Sequence, residues 1–325
     1  MTALLLPALA IIIGFVLLIW SADKFVLGAS NTARSFSISP LIVGVVIVGL
    51  GTSAPEMLVS AIAAAEGNTG LSIGNAIGSN ITNIGLMLGL TALFYPLQIH
   101  SKLLKREMPI LLAILLLSYY LLWDQHLSFF DGLLLLVLMF AMLGVTIWEA
   151  QHHSKDSLPQ EILDELPEEI TKSQALLWLT VGILVLIVSS RILVWGAVEV
   201  AVYFNVSDLI IGLTIVAIGT SLPELAATIA AARKQEFDLA VGNIIGSNIF
   251  NILGVMALPG LIHPDSFDPV VLTRDYPAMI GLTIALILFS IAWKKQHMSH
   301  LGRVKGLIFL LVYMLYMYCL YNGIK

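Results

Sequence analysis

Long apolar stretches recur from one end of the chain to the other and constrain its fold more than any other feature. A bilayer core about 30 Å thick needs roughly 20 mostly apolar residues per crossing helix. Barrel strands need only about 10 residues of alternating polarity, and unpaired backbone groups are costly in lipid. The sequence therefore predicts an all-α polytopic membrane protein with ten transmembrane helices. The predicted spans are residues 4–28, 39–63, 71–94, 108–123, 129–148, 173–198, 207–231, 239–262, 276–293 and 305–322.

Composition excludes several other classes of protein. Of the 325 residues, 58% are hydrophobic and 11% are charged, whereas about 25% of the residues of an ordinary soluble chain are charged. A formal charge of −5 argues against nucleic-acid binding. The single cysteine, Cys319, cannot form an intramolecular disulfide. At this point the expected partner is the lipid bilayer, with no nucleic acid and no obligate protein partner.

Positive charges fall unevenly between the two sets of alternate loops. Twelve Lys and Arg residues lie on one side of the predicted membrane, whereas Arg274 and Lys325 are the two on the other side. Cytoplasmic loops carry the excess of Lys and Arg, so both termini are predicted to lie outside the cytoplasm. The stretch from Glu149 to Glu169 holds seven of the 21 acids. It is predicted to be a solvated linker, with a regulatory cation-binding role as the alternative.

Two sequence motifs occur twice at a constant offset of 168 residues. GTSAPE at 51–56 returns as GTSLPE at 219–224, and GNAIGSNITNIG at 74–85 returns as GNIIGSNIFNIL at 242–253. Five predicted spans separate equivalent points, and this odd number gives the second copy the opposite orientation. The predicted domains are a first five-helix repeat over 1–148, a cytoplasmic charged linker over 149–172, and a second, inverted five-helix repeat over 173–325.

The first motif places an acid deep in an apolar span. Glu56 and Glu224 would each cost about 2.5 to 3.5 kcal/mol at a helix centre. No Lys or Arg shares their segments at helical spacing, so a bound cation is the natural counter-charge. The alternative is a protonated glutamate that bonds to neighbouring backbone.

Oxygen atoms that could surround such a cation are present in the same motif. Pro55 and Pro223 lack an N–H, which leaves the carbonyls of Gly51 and Gly219 without helical partners. Na⁺ and Ca²⁺ are hard cations that prefer oxygen ligands. The alternative interpretation of each proline is a simple helix kink. The motif's hydroxyl groups belong to Thr52, Ser53, Thr220 and Ser221.

The second motif forms a polar stripe on one helical face. Asn75, Ser79 and Asn83 stand at positions i, i+4 and i+8, and the second copy repeats them. Hydrogen bonding between helices is the alternative to a role in binding cations. The repeated residues are Asn243, Ser247 and Asn251.

With these paired motifs the chain resembles the sodium/calcium exchanger family of the cation/calcium antiporter superfamily, in its compact bacterial type. GTSAPE with GSNITN and GTSLPE with GSNIFN carry the resemblance, which covers essentially the whole chain. It implies an antiporter of the bacterial inner membrane, not an enzyme, with no cofactor and with Na⁺ and Ca²⁺ as the transported ions. The metal ligands that it implies are Thr52, Ser53, Glu56, Ser79, Asn83, Thr220, Ser221, Glu224, Ser247 and Asn251, with backbone carbonyls near Gly49 and Ala217.

Asn251 departs from many relatives, which carry Asp at this position. The predicted site therefore has two carboxylates, which balance one Ca²⁺ or about two Na⁺. The resemblance implies alternating access at a midplane site, in which two unpaired buried carboxylates are too costly to reorient without a cation. A gate in which Asp23 pairs with its equivalent Arg191 is a further hypothesis. The alternative is that both charges reach toward the membrane interface.

Three other functions remain open on the sequence. A proton/calcium exchanger would use the same two glutamates, with protonation in place of sodium binding. A cation channel fits less well, because inverted halves with broken helices are typical of carriers. An integral-membrane metalloenzyme would need clustered ligands such as histidine, but all seven histidines lie outside the predicted spans.

Overall fold

The computed structural model describes residues 2–36, 42–100, 106–152, 170–204, 217–291 and 298–323. These residues are mostly helical. Their α-helices are α1 Thr2–Ser35, α2 Gly49–Thr52, α3 Ala54–Ala65, α4 Thr69–Thr82, α5 Gly89–Phe94, α6 Glu107–Leu121, α7 Phe129–His152, α8 Lys172–Tyr203, α9 Ala217–Thr220, α10 Leu222–Arg233, α11 Phe237–Phe250, α12 Ala257–Ile262, α13 Tyr276–Ser290 and α14 Arg303–Gly323. Four π-helical segments adjoin these α-helices among the described residues: Val43–Val48, Asn83–Leu88, Asn251–Val255 and Val271–Asp275.

Seven of the described helices are long and apolar enough to cross a membrane, and the bent pair Val43–Thr52 and Ala54–Ala65 can form an eighth span. The prediction of an all-α polytopic membrane protein is confirmed. Helix α6 is apolar but has only 15 residues. The predicted span 207–231 lies partly outside the described residues, so the number of ten spans stays a prediction.

Burial divides the helices into a core and a periphery. The most apolar window of Thr69–Phe94 is 72% buried and that of Phe237–Ile262 is 89% buried. The corresponding windows of α1, α7, α8 and α14 are 28% buried or less, and they expose many large apolar side chains. The two buried spans carry both copies of the second motif, so the polar side chains of that motif lie in the core of the protein among large apolar ones.

The two longest helices, α1 and α8, pack against each other in antiparallel directions. A Cβ atom on Gly28 would lie 2.7 Å from the Cα of Leu179, and one on Gly14 would lie 3.0 Å from the Cα of Leu193. Small residues allow this close approach of two backbones. The glycines of the interface fall at equivalent positions of the two halves: Gly14, Gly28, Gly182 and Gly196.

Two short antiparallel strand pairs, which the sequence analysis did not predict, join the two halves. Strand β1, Leu97–His100, pairs with β4, Met298–Leu301. Strand β2, His126–Leu127, pairs with β3, Asp265–Ser266. All four strands lie between helices, where backbone groups without helical partners need other hydrogen bonds.

Candidate cation site

Both copies of the first motif interrupt a helix at a serine. Ser53 separates α2 from α3 with φ −81° and ψ 2°, and Ser221 separates α9 from α10 with φ −93° and ψ 8°. Pro55 and Pro223 lie in the first turns of α3 and α10 and cannot donate to the preceding helices. The first broken helix bends by 43° here. Each interruption therefore places a helix N-terminus inside the protein.

The two glutamates lie in the first turns of these internal helices. Glu56 in α3 is 1% exposed and Glu224 in α10 is 0% exposed. The backbone N–H groups and dipole of a helix N-terminus favour negative charge there. The Ser-x-x-Glu letters match a capping box, in which the serine bonds to its own helix. Neither Ser53 nor Ser221 makes such a bond.

Each serine hydroxyl instead donates to the glutamate of the other copy. Ser221 Oγ donates to Glu56 Oε1 over 3.2 Å, and Ser53 Oγ donates to Glu224 Oε1 over 3.4 Å. The Oε2 atom of each glutamate is buried and has no hydrogen-bond partner among the described residues. Nor does any described Lys, Arg or His form an ion pair with either side chain. Two buried carboxylates with so little compensation are costly, and a bound cation would provide the missing interactions.

The first asparagine of each polar stripe holds the backbone of a glutamate. Asn75 Nδ2 donates to the Glu56 carbonyl over 3.0 Å, and Asn243 Nδ2 donates to the Glu224 carbonyl over 3.2 Å. Thr52 Oγ1 donates toward Asn243 Oδ1 over 3.2 Å. The first motif of one half is therefore in direct contact with the second motif of the other half.

Ser247 continues this contact on α11. Its Oγ lies 3.4 Å from Thr52 Oγ1 and donates to the carbonyl of Gly49 over 3.4 Å. Ser247 and Thr52 are both fully buried. The structure thus brings two predicted hydroxyl ligands together with one of the predicted carbonyl ligands.

The remaining predicted ligands lie on the same elements. Ser79 is buried in α4, Thr220 ends α9 with partial exposure, and Ala217 begins α9. Asn83 and Asn251 are the first residues of two π-helical segments and are both buried. Short π-helical segments are frequent at functional sites. The Asn83 Oδ1 atom and both polar side-chain atoms of Asn251 lack hydrogen-bond partners among the described residues.

The carbonyl of Gly219 is not left available in the way that the sequence predicts. Pro223 removes its helical partner, but Ser190 Oγ of α8 donates to this oxygen over 2.7 Å. A buried carbonyl without a partner is costly, and the neighbouring hydroxyl satisfies it. The residue of α1 at the equivalent position is Ala22, which has no hydroxyl. The second half therefore has a hydroxyl donor beside its helix break at a position where the first half has none.

We expect Ser190→Ala to lower the free energy of unfolding by about 1 to 3 kcal/mol, because the buried Gly219 carbonyl would lose its donor. Thermal unfolding of the purified protein in detergent measures this loss. Ser189→Ala is the matched control, since Ser189 Oγ donates only to the Leu186 carbonyl of its own helix. Equal melting temperatures for the two variants would contradict the role of Ser190.

Asp23 pairs with Arg233 at the end of α10, not with Arg191 as the gate hypothesis requires. Lys234 Nζ also donates to the Asp23 carbonyl over 2.7 Å. Burial lowers the pKa of the Lys234 ammonium, and the negative charge of Asp23 opposes this shift. Arg191 is exposed on α8. Because helices α1 and α8 run antiparallel, Asp23 and Arg191 lie at different heights along the interface, and the gate hypothesis is wrong in this structure.

Three polar residues that were not among the predicted ligands also contact the cluster: Ser190, Asn80 and Asn248. Asn248 accepts from Asn83 Nδ2 over 3.0 Å, and Asn80 donates to the Asn248 carbonyl over 3.1 Å. Asn80 and Asn248 could have been selected from the sequence, because the asparagine of GSN is present in both copies. Ser190 could not be selected in this way, because the equivalent residue of the first half is Ala22.

Comparison with known proteins extends over the whole chain. A family profile described as sodium/calcium exchanger protein matches residues 6–148 and 174–322. CaxA of Alkalimonas amylolytica is 46% identical over 98% of this chain and 100% of its own length. The inner membrane protein YrbG of Escherichia coli is 43% identical over 90% of each chain. A structure of the sodium-calcium exchanger NCX_Mj, soaked with Na⁺ and Ca²⁺, matches with a TM-score of 0.82 and 32% identity, covering 97% of this chain and 98% of its own.

Proposed function

The chain belongs to the sodium/calcium exchanger family, and on that premise we propose that it exchanges Na⁺ for Ca²⁺ by alternating access. Membership of this family makes it a membrane-embedded cation/calcium antiporter and not an enzyme. The sodium-calcium exchange named for NCX_Mj supports Na⁺ as the counter-ion. The name of YrbG supports a location in the bacterial inner membrane.

The crossed serine–glutamate hydrogen bonds carry the proposal. Each carboxylate receives one hydroxyl from the opposite half and keeps a second oxygen that is buried and unpaired among the described residues. Glu56 and Glu224 are therefore held in one cluster, and their combined charge balances one Ca²⁺ or about two Na⁺. An ion-free cluster would keep two poorly compensated buried charges. That cost would favour exchange of one ion for another over movement of the empty site.

Neutral oxygens complete the proposed cation site. The contacts among Thr52, Ser247 and the Gly49 carbonyl support a shared cluster of oxygen atoms. Asn251 is neutral, so a third Na⁺ would be bound by uncharged oxygens alone. The proposed ligands are the side chains of Thr52, Ser53, Glu56, Ser79, Asn83, Thr220, Ser221, Glu224, Ser247 and Asn251, with the backbone near Gly49 and Ala217.

The proposed architecture is ten spans in two inverted repeats, 1–148 and 173–325, joined by the cytoplasmic linker 149–172. The equivalent conformations of Ser53 and Ser221 and the equivalent bonds of Asn75 and Asn243 support the duplication. The distribution of Lys and Arg supports placing both termini outside the cytoplasm.

Proteoliposomes test the choice of counter-ion. We expect vesicles loaded with Na⁺ to take up radiolabelled Ca²⁺ when they are diluted into sodium-free buffer. Imposing only a pH gradient or only a K⁺ gradient should produce no uptake above that of protein-free vesicles. Uptake driven by the pH gradient alone would instead identify a proton/calcium exchanger. Ca²⁺ flux that needs no counter-ion gradient and far exceeds carrier rates would identify a channel.

A further inference from the structure

Both copies of the GSN sequence contain an asparagine that is absent from the proposed ligand set. Asn80 lies in α4 and Asn248 lies in α11, and each is 1% exposed. A buried carboxamide needs partners for its donors and acceptor. The Oδ1 atom of Asn80 has no hydrogen-bond partner among the described residues, and the bonds that the two side chains make are not equivalent.

Asn248 bonds directly to a proposed ligand. Its Oδ1 accepts from Asn83 Nδ2 over 3.0 Å. The Asn83 Oδ1 atom is buried and has no hydrogen-bond partner among the described residues. A carboxamide can turn by 180° and exchange its oxygen for its NH₂ group. While Asn248 keeps its orientation, the bond opposes that turn, because the turned Asn83 amide would direct an oxygen at the Asn248 oxygen.

The equivalent bond in the other half is missing. Asn80 Nδ2 donates to the backbone carbonyl of Asn248 over 3.1 Å and lies 3.5 Å from the sulfur of Met279. Neither polar side-chain atom of Asn251 has a partner among the described residues. The orientation of the Asn251 amide is thus not determined by any described hydrogen bond. Asn83 and Asn251 occupy equivalent places but are not held equally.

We infer that Asn248 is a positioning residue, which keeps the Asn83 amide turned so that its oxygen is free for a cation. This inference rests on the proposed function, because it requires Asn83 to be a ligand. A cation attracts the amide oxygen and is repelled by the NH₂ group, so an unrestrained Asn83 would bind it less well. No described hydrogen bond gives the Asn251 amide an equivalent restraint.

The test is the apparent KM for radiolabelled Ca²⁺ in sodium-driven uptake by proteoliposomes. We expect Asn248→Leu, which keeps the side-chain size but removes the acceptor, to raise this KM roughly tenfold with less than a twofold change in maximal rate. Asn248→Ser, whose hydroxyl is too short to reach Asn83, should raise the KM similarly. The serine variant tests the inference if the leucine variant does not accumulate in the membrane.

Asn80→Leu is the matched control at the equivalent position of the other half. It also removes a buried carboxamide between α4 and α11, so it should lower the melting temperature comparably. Its KM should nevertheless stay within twofold of the wild-type value, because the bond from Asn80 reaches only the backbone of Asn248, which helix α11 holds in place without it. An equal rise in KM for the Asn80 and Asn248 variants would show a general packing effect and overturn the inference.

Asn83→Leu completes the experiment. We expect it to raise the KM at least as much as Asn248→Leu, and the double variant should show no further rise, because both changes remove one contribution. A raised KM for Asn83→Leu with an unchanged KM for the Asn248 variants would overturn the inference, and so would an unchanged KM for Asn83→Leu. Absence of sodium-driven uptake by the wild-type protein would contradict the proposed function instead.

Discussion

Replacement of Glu56 or Glu224 by glutamine is expected to lower sodium-driven Ca²⁺ uptake roughly 100-fold, because a charge-assisted contact to the ion contributes about 3 kcal/mol. Glutamine has nearly the same shape and can still accept the crossed hydrogen bond from Ser221 or Ser53. The negative charge is lost and one carboxylate oxygen becomes an NH₂ group, which leaves one carboxylate to balance a divalent ion. Uptake of radiolabelled Ca²⁺ into proteoliposomes, normalised to the amount of inserted protein, measures the effect.

Glu66→Gln is the control for this pair of variants. Glu66 follows the end of α3 and is exposed, so it belongs to the same segment as Glu56 but lies outside the buried cluster. Its uptake should match that of the wild-type protein. Full activity in both the Glu56 and Glu224 variants would contradict the assignment of the cation site.

The second large effect is expected at Gly246, directly before Ser247. A Cβ atom there would overlap the backbone oxygen of Val45 and lie 2.7 Å from the Cα of Val45. Backbone atoms cannot move aside as a flexible side chain can, so Gly246→Ala should force α11 away from the Val43–Val48 segment. We expect a loss of about 3 kcal/mol or more in the free energy of unfolding. Transport should fall as well, because Ser247 would move relative to Thr52 and Gly49.

Gly281→Ala provides the comparison for this steric effect. Gly281 lies within α13, is exposed, and has open space where a Cβ would stand. Alanine in place of glycine in an exposed helix is neutral or slightly stabilising. Thermal unfolding of both purified variants in detergent measures the difference in their stability. A Gly246 variant as stable as the Gly281 variant would show that the two segments do not approach so closely.

Several features of the site could be predicted because they follow from local physical chemistry. An acid in an apolar span is costly wherever it lies, so Glu56 and Glu224 could be selected from the sequence alone. A proline removes one backbone donor in any helix, so the helix interruptions were also predictable. The hydrogen bond from Ser190 to the Gly219 carbonyl was not predictable, because Ser190 belongs to a helix whose packing the motif does not encode.

The sequence by itself determined the helical, membrane-embedded class of the chain, the duplication, and the residue types available to bind a cation. Hydropathy and periodicity reveal these features because each depends on a few neighbouring residues. The tertiary structure decided which groups meet. Ser221 reaches Glu56 across 165 residues and Ser53 reaches Glu224 across 171 residues, whereas the local Ser-x-x-Glu pattern predicts that each serine caps its own helix. Contact between the two halves, through backbones brought close at Gly49 and Gly246, replaces those local bonds with crossed ones.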